Sequence, residues 1–159
     1  MVHHKAPHRN WMPEPKYFNF EEKTFPVPEN YFDDYSGLGK AALEQEMSVI
    51  VDMMYGYDLK AINPDTTSNQ RGDAWIKNML TRLTPEQRAA WDAHYDPIIE
   101  DFFSQNLEGK ELALWKYQRY MRDYLACIQS VDDQVGRLLD YLEETGLDET
   151  TAVFYTADQ

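Results

Sequence analysis

Apolar side chains recur every three or four residues from Leu112 to Leu142, at Tyr117, Tyr120, Met121, Tyr124, Ile128, Val131, Val135, Leu138 and Leu142. That period predicts one long amphipathic helix or two nearly collinear ones. Gly146 follows as its C-terminal cap. Upstream, Thr84-Pro85-Glu86-Gln87 is a helix start: Thr84 caps, Pro85 suits the first turn, and Gln87 completes a capping box. This helix runs toward Asp96, where Pro97 kinks it or restarts it before Ile98 to Phe103. Leu43, Met47, Ile50, Val51 and Met54 predict a further helix over 41–54, its methionines in the core, and a short one is expected over 74–80. The polar run from Asn63 to Asp73 between them reads as a mobile loop.

Two stretches depart from the helical period. From Pro7 to Pro28 prolines alternate with aromatics, which predicts a long structured loop without helix, pinned to a surface by Trp11, Tyr17, Phe18, Phe20 and Phe25. At the other end, Thr151 to Ala157 has the β-branched and aromatic content of a buried strand, and it delivers Asp158 and Gln159 side by side. Open α/β sheets place their sites at such strand tips. One strand has no partner for its backbone groups, apart from a neighbour ending at Val2-His3-His4, so the chain reads as part of a larger α/β domain.

Composition narrows the partners. The 159 residues are 43% hydrophobic and 14% aromatic, enough for a packed core. A formal charge of −13 argues against nucleic acid and against an anionic membrane surface. It leaves an anionic substrate open wherever a metal or local cations reverse the field. No apolar run reaches the length of a spanning helix, no signal peptide is legible, and Cys127 alone makes no internal disulfide.

Candidate chemistry sits at the two ends. His3, His4, Lys5, His8 and Arg9 crowd the first nine positions. An imidazole beside cations is suited to donate a proton to the leaving group of an anionic substrate, and Lys5 and Arg9 can neutralise oxyanion charge. Zinc binding by His3, His4 and His8 and plain loop packing are the competing readings, the histidine spacing fitting no helical or finger pattern. The oxygens of Asp158 and Gln159 suit a hard cation, though two ligands do not complete a site and a polar turn is the alternative. Cys127 reads as a small buried apolar residue, and Asp132 as a cap or hydrogen-bond anchor near the apolar seam.

Taken together, Asp132-Asp133-Gln134-Val135-Gly136-Arg137-Leu138-Leu139-Asp140-Tyr141-Leu142, then Gly146-Leu147-Asp148, then Val153-Phe154-Tyr155-Thr156-Ala157-Asp158-Gln159 resemble the type I sulfatases. In that family a helix of pattern D-x-x-V-G-x-L-L-x-x-L leads through a G-L turn into a strand ending T-S/A-D-N/Q-G. His4-Lys5-Ala6-Pro7-His8 resembles the family's H-K-x-P-H loop, in the family's order. The resemblance implies an α/β, alkaline-phosphatase-like fold, of which residues 1–159 would be a mostly helical catalytic-domain fragment ending in a core strand. It implies hydrolysis of sulfate esters, in a sulfated small molecule or glycan, with calcium rather than magnesium and a formylglycine nucleophile. His8 would contact the sulfate and help the leaving group depart, Lys5 would contact substrate, and Asp158 and Gln159 would be metal ligands. Relatives that degrade sulfated glycans are commonly periplasmic or secreted.

The formylglycine arises in a C/S-x-P-x-R motif, and this chain holds none: Cys127 is followed by Ile-Gln-Ser-Val. The family's early paired aspartates are also absent, and Asp33-Asp34 stands in the wrong context. The nucleophile is therefore expected outside residues 1–159, and this polypeptide alone is expected to be inactive. Two other readings stand beside this one: a phosphoric or phosphonic ester hydrolase of the same superfamily, and a non-catalytic helical interaction module.

Overall fold

The computed structural model describes residues 1–62 and 72–157. The expected loop over 63–73 lies almost wholly outside them, as do Asp158 and Gln159. Five α-helices follow in order among the described residues: α1 (Lys40–Glu44), α2 (Val49–Asp52), α3 (Asp73–Leu80), α4 (Pro85–Gln105) and α5 (Gly109–Glu144). None is long and apolar enough to cross a membrane.

Helix α5 is one continuous element of 36 residues, about 54 Å at 1.5 Å per residue. It ends in a Schellman pattern: Gly146, at φ 68°, donates to Glu143 O at 3.0 Å, and Leu147 donates to Leu142 O at 2.9 Å. Helix α4 begins as its sequence demands. Gln87 N donates to Thr84 Oγ1 at 3.3 Å, and Thr84 N to Gln87 Oε1 at 3.0 Å. Pro97 neither ends nor restarts α4. It sits on the solvent side, while Trp91, Tyr95 and Phe102 are buried on both sides of it and hold the flanking turns in place.

Three expectations change. The helix over 41–54 is instead two short helices, with Leu43, Met47 and Val51 exposed, so Met47 is not a core residue. Ser48 breaks the run: its hydroxyl accepts from Val51 N at 3.1 Å and its own N–H donates to Asp52 Oδ2 at 2.6 Å, capping α2. The β-branched Val49-Ile50-Val51 adds little helix propensity to oppose that break. The loop from Pro7 to Pro28 contains a 3₁₀ helix, Pro15–Glu22, begun by Pro15. Its three-residue turn sets Tyr17 and Phe20 on one side, where both are buried against Ala126 of α5.

The third change is at the C-terminus. After a short 3₁₀ turn at Asp148–Thr150, residues 151–157 form no strand, and Val153, Phe154 and Tyr155 are exposed. No strand exists among the described residues to pair with them, and an isolated strand has no ladder. The last turns of α5 share this state: Leu138, Leu139 and Tyr141 are 44%, 46% and 58% exposed.

The interior comprises three apolar clusters with charge between them. Tyr17, Phe20 and Ala126 form one; Leu59, Ala61 and Phe102 a second; Ile76, Trp91 and Tyr95 a third. The aromatic loop is fastened along α5 as expected. Gln118 binds both backbone groups of Phe25, at 2.9 and 2.7 Å, and Tyr117 Oη donates to Pro26 O at 2.8 Å. Tyr17 Oη donates to Asp133 Oδ2 at 2.6 Å, so the acidic anchor is Asp133, while Asp132 faces solvent.

Candidate functional site

The histidine loop is short and held from both flanks. His8 N–H donates to Lys5 O at 2.9 Å, a four-residue turn that brings the Lys5 and His8 Cα atoms within about 7 Å. Both side chains are exposed. On one flank, Trp11 Nε1 donates to Pro7 O at 2.8 Å. The indole is buried against α5 and meets Tyr120 and Tyr124 edge-on, with ring centroids 4.8 and 5.8 Å away.

On the other flank, Arg9 turns its guanidinium inward onto Asp58. Nε donates to Oδ1 at 2.5 Å and Nη2 bonds Oδ2, the two-toothed match of a guanidinium to a carboxylate. The Asp58 side chain is fully buried, and Oδ2 also accepts from Met54 N at 2.8 Å. Arg9 further lies 5.1 Å from the Tyr57 ring centroid. The bond to Asp58 raises the Arg9 pKa beyond its already high range. Its charge is thus paired within the protein at Asp58, while 42% of its side chain remains exposed.

Behind Asp58 a chain of buried charges continues into α5. Lys60 Nζ donates to Asp58 O at 2.9 Å and stands 3.2 Å from Asp123 Oδ2. Asp123 Oδ1 accepts from Tyr95 Oη at 3.0 Å and from Arg119. Arg119 also pairs with Glu21, which accepts from Arg122 Nη1 at 2.7 Å. Burial lowers the Lys60 pKa against the opposing pull of Asp123. Burial acts the same way on Arg119, but the Asp123 and Glu21 carboxylates outweigh it and the guanidinium stays charged. Burial pushes the Tyr95 phenol well up, so it remains a donor. Lys60 holds φ 60°, a left-handed geometry unusual for lysine, consistent with its tether at both ends.

None of the residues in this chain of charges is prominent in the sequence. A signal did exist for two: Arg119 and Asp123 fall four apart on the buried side of α5, a stripe that apolar residues would otherwise fill. Asp58 had none, since its partner is 49 positions away.

His3 and His4 are exposed, with His4 lining an open groove together with Val2, Arg137, Leu138 and Tyr141. Among the described residues no three His, Cys, Asp or Glu side chains are placed together to hold a metal, so the three histidines form no zinc cluster. Cys127 is buried, and burial pushes its thiol up to about 11, as expected for an apolar role.

A tightly tethered histidine loop on an α-helical layer, ahead of a long amphipathic helix and a G-L turn, matches a known enzyme family. A family model described as Sulfatase matches residues 1–159, and the chain belongs to that family, whose fold is α/β and alkaline-phosphatase-like. An N-acetylglucosamine-6-O-sulfatase of Bacteroides thetaiotaomicron is 44% identical over 165 residues, covering 100% of this chain and 28% of its own length. A solved structure of a complex with the substrate D-glucosamine-2-N,6-O-disulfate is 44% identical with a TM-score of 0.77, covering 89% of this chain and 29% of that one. The chain therefore spans just over a quarter of the relatives it matches.

Proposed function

We propose that the whole protein hydrolyses the sulfate ester of a sulfated carbohydrate, with a glucosamine 6-O-sulfate as the substrate class. The observation that carries this is the 44% identity of the entire chain to an N-acetylglucosamine-6-O-sulfatase, within a family match over residues 1–159. In this reading His8 gives a proton to the bridging oxygen as its bond to sulfur breaks, so the sugar departs as an alcohol and not an alkoxide. Exposure of His8 on a tethered turn supports that role. Lys5, at the other end of the turn, balances charge on a sulfate oxygen.

The formylglycine nucleophile is proposed to lie outside residues 1–159, because no C/S-x-P-x-R motif stands within them. The carboxylate of Asp158 and carboxamide of Gln159 are a donor set for a hard cation, calcium before magnesium, and are proposed as two of its ligands. Calcium, where bound, supplies Lewis-acid neutralisation of sulfate charge. Residues 1–62 and 72–157 bring no further ligand cluster.

The test is sulfate release from glucosamine 6-O-sulfate by the full-length protein, followed by ion chromatography. Release is expected, with kcat lowered roughly 100-fold or more in His8→Ala. Hydrolysis of the corresponding phosphate ester without sulfate release would replace this reading by the phosphoric ester one. Wild-type turnover in His8→Ala would remove His8 from the chemistry.

A further inference from the structure

The proposed chemistry uses His8 but gives no task to the ion pair beside it. His8 is exposed, and among the described residues its ring forms one hydrogen bond, from Nδ1 to the neighbouring Arg9 O. Its place is therefore set by its neighbours in the chain. Pro7 is held through its carbonyl by Trp11, and Arg9 is held through its side chain by Asp58. Adjacent Cα atoms are about 3.8 Å apart, so fixing residues 7 and 9 leaves residue 8 little freedom.

We infer that Asp58 is a positioning residue for His8, acting through the fork of Arg9 to hold the imidazole where the leaving oxygen will be. The inference rests on the proposed role of His8. Asp58 has the properties the task requires. It is fully buried, accepts a backbone N–H from Met54 in addition to both guanidinium nitrogens, and has its own carbonyl held by Lys60, which reaches Asp123 on α5. The catalytic loop is thereby referenced to the longest element of the fold rather than to its own flexible backbone. A surface carboxylate on a mobile loop would give Arg9 a partner but no fixed position.

Displacing a reacting group by about 1 Å costs on the order of 100-fold in rate. Asp58→Asn keeps the volume but replaces one acceptor oxygen by an amide that faces the guanidinium, so the fork is lost. In the full-length enzyme on glucosamine 6-O-sulfate, kcat per folded molecule is expected to fall about 10- to 100-fold, with KM changed less than about threefold. Arg9→Gln, which leaves the buried carboxylate to accept from Met54 alone, should show the same split. The double variant should be no slower than the worse single one. Arg9→Lys keeps the charge without the fork and should recover only part of kcat.

A loss that disappears once kcat is normalised to folded protein, or a kcat unchanged in both Asp58→Asn and Arg9→Gln, overturns the inference. His8→Ala measured alongside separates this from the functional reading. If His8→Ala is slow and the pair variants are not, only the positioning role fails; if His8→Ala is as fast as wild type, the reading of His8 itself fails.

Discussion

Asp123→Asn tests the buried charge chain most directly. Asp123 is 1% exposed and faces two cations, Lys60 at 3.2 Å and Arg119 in direct contact, as well as the Tyr95 hydroxyl at 3.0 Å. At an effective dielectric near 20, one unit-charge pair at about 3.2 Å is worth about 5 kcal/mol before desolvation is counted. The asparagine keeps the shape and leaves Lys60 and Arg119 buried, with Glu21 the remaining anion of the cluster. Breaking one side of such a pair costs about 3–5 kcal/mol, because the stranded charge, and not the lost attraction, dominates. Urea denaturation of the full-length protein, followed by far-ultraviolet circular dichroism, measures it. Lys60→Met in the Asp123→Asn background removes one stranded cation and should recover about 1–3 kcal/mol. A loss below about 1 kcal/mol for Asp123→Asn, or no recovery in the double variant, would mean that water reaches the cluster and the argument from burial fails.

Three further outcomes are expected. His94 stacks on Phe18 with ring centroids 4.0 Å apart, and burial, aided by the Arg119 charge, lowers its pKa to about 4 from 6.5 in the unfolded chain. The unfolded state thus binds the extra proton, so stability is full above pH 6.5 and falls as pH drops toward 4. The full difference is about 3 kcal/mol, which solvent screening of a half-buried ring cuts to about 1–2 kcal/mol; His94→Gln should flatten the acid limb of the thermal midpoint against pH. Cys127, with its thiol pushed up to about 11, should resist iodoacetamide at about pH 8 in native protein and react on unfolding, as mass spectrometry would show; rapid native alkylation contradicts its burial. Thr84→Ala removes the hydroxyl half of the α4 capping box, the acceptor for Gln87 N–H, and should cost about 1 kcal/mol in the same urea assay, with Thr84→Ser close to wild type.

Features legible in the sequence are those whose causes are local. Thr84, Pro85 and Gln87 are neighbours, so the start of α4 follows from four residues. The three- and four-residue rhythm of α5 extends through 36 positions and outweighs any ambiguity at one of them. The aromatic loop was predicted to pack because five large rings in a proline-rich stretch need cover, but its 3₁₀ turn was not, since Pro15 serves a helix start as well as an extended chain. Over 41–54 the apolar period was present and still misleading: Ser48 with Asp52 made a cap four residues into the expected second turn. A strand at 151–157 depends on pairing partners, which no property of those seven residues can supply.

The candidate site divides along the same line. The loop carrying Lys5 and His8 could be read from its residues, because a turn of a few positions brings them together. What ties that loop through Arg9 to the rest of the fold could not, because Arg9 reaches across 49 positions to meet Asp58. This has a physical consequence for a chain of net charge −13. Arg9, Lys60, Arg119 and Arg122 all turn to carboxylates inside the fold, leaving fewer cations to face an anion from outside. The long-range field of this segment would thus repel a sulfate ester, and in the proposed reading capture would rest on short-range contacts at defined positions. A site of that kind depends on how firmly its few donors are held. The Arg9–Asp58 pair, which takes one positive charge from the surface, is also the one that fixes the histidine loop, so there the two effects are a single arrangement viewed from outside and from within.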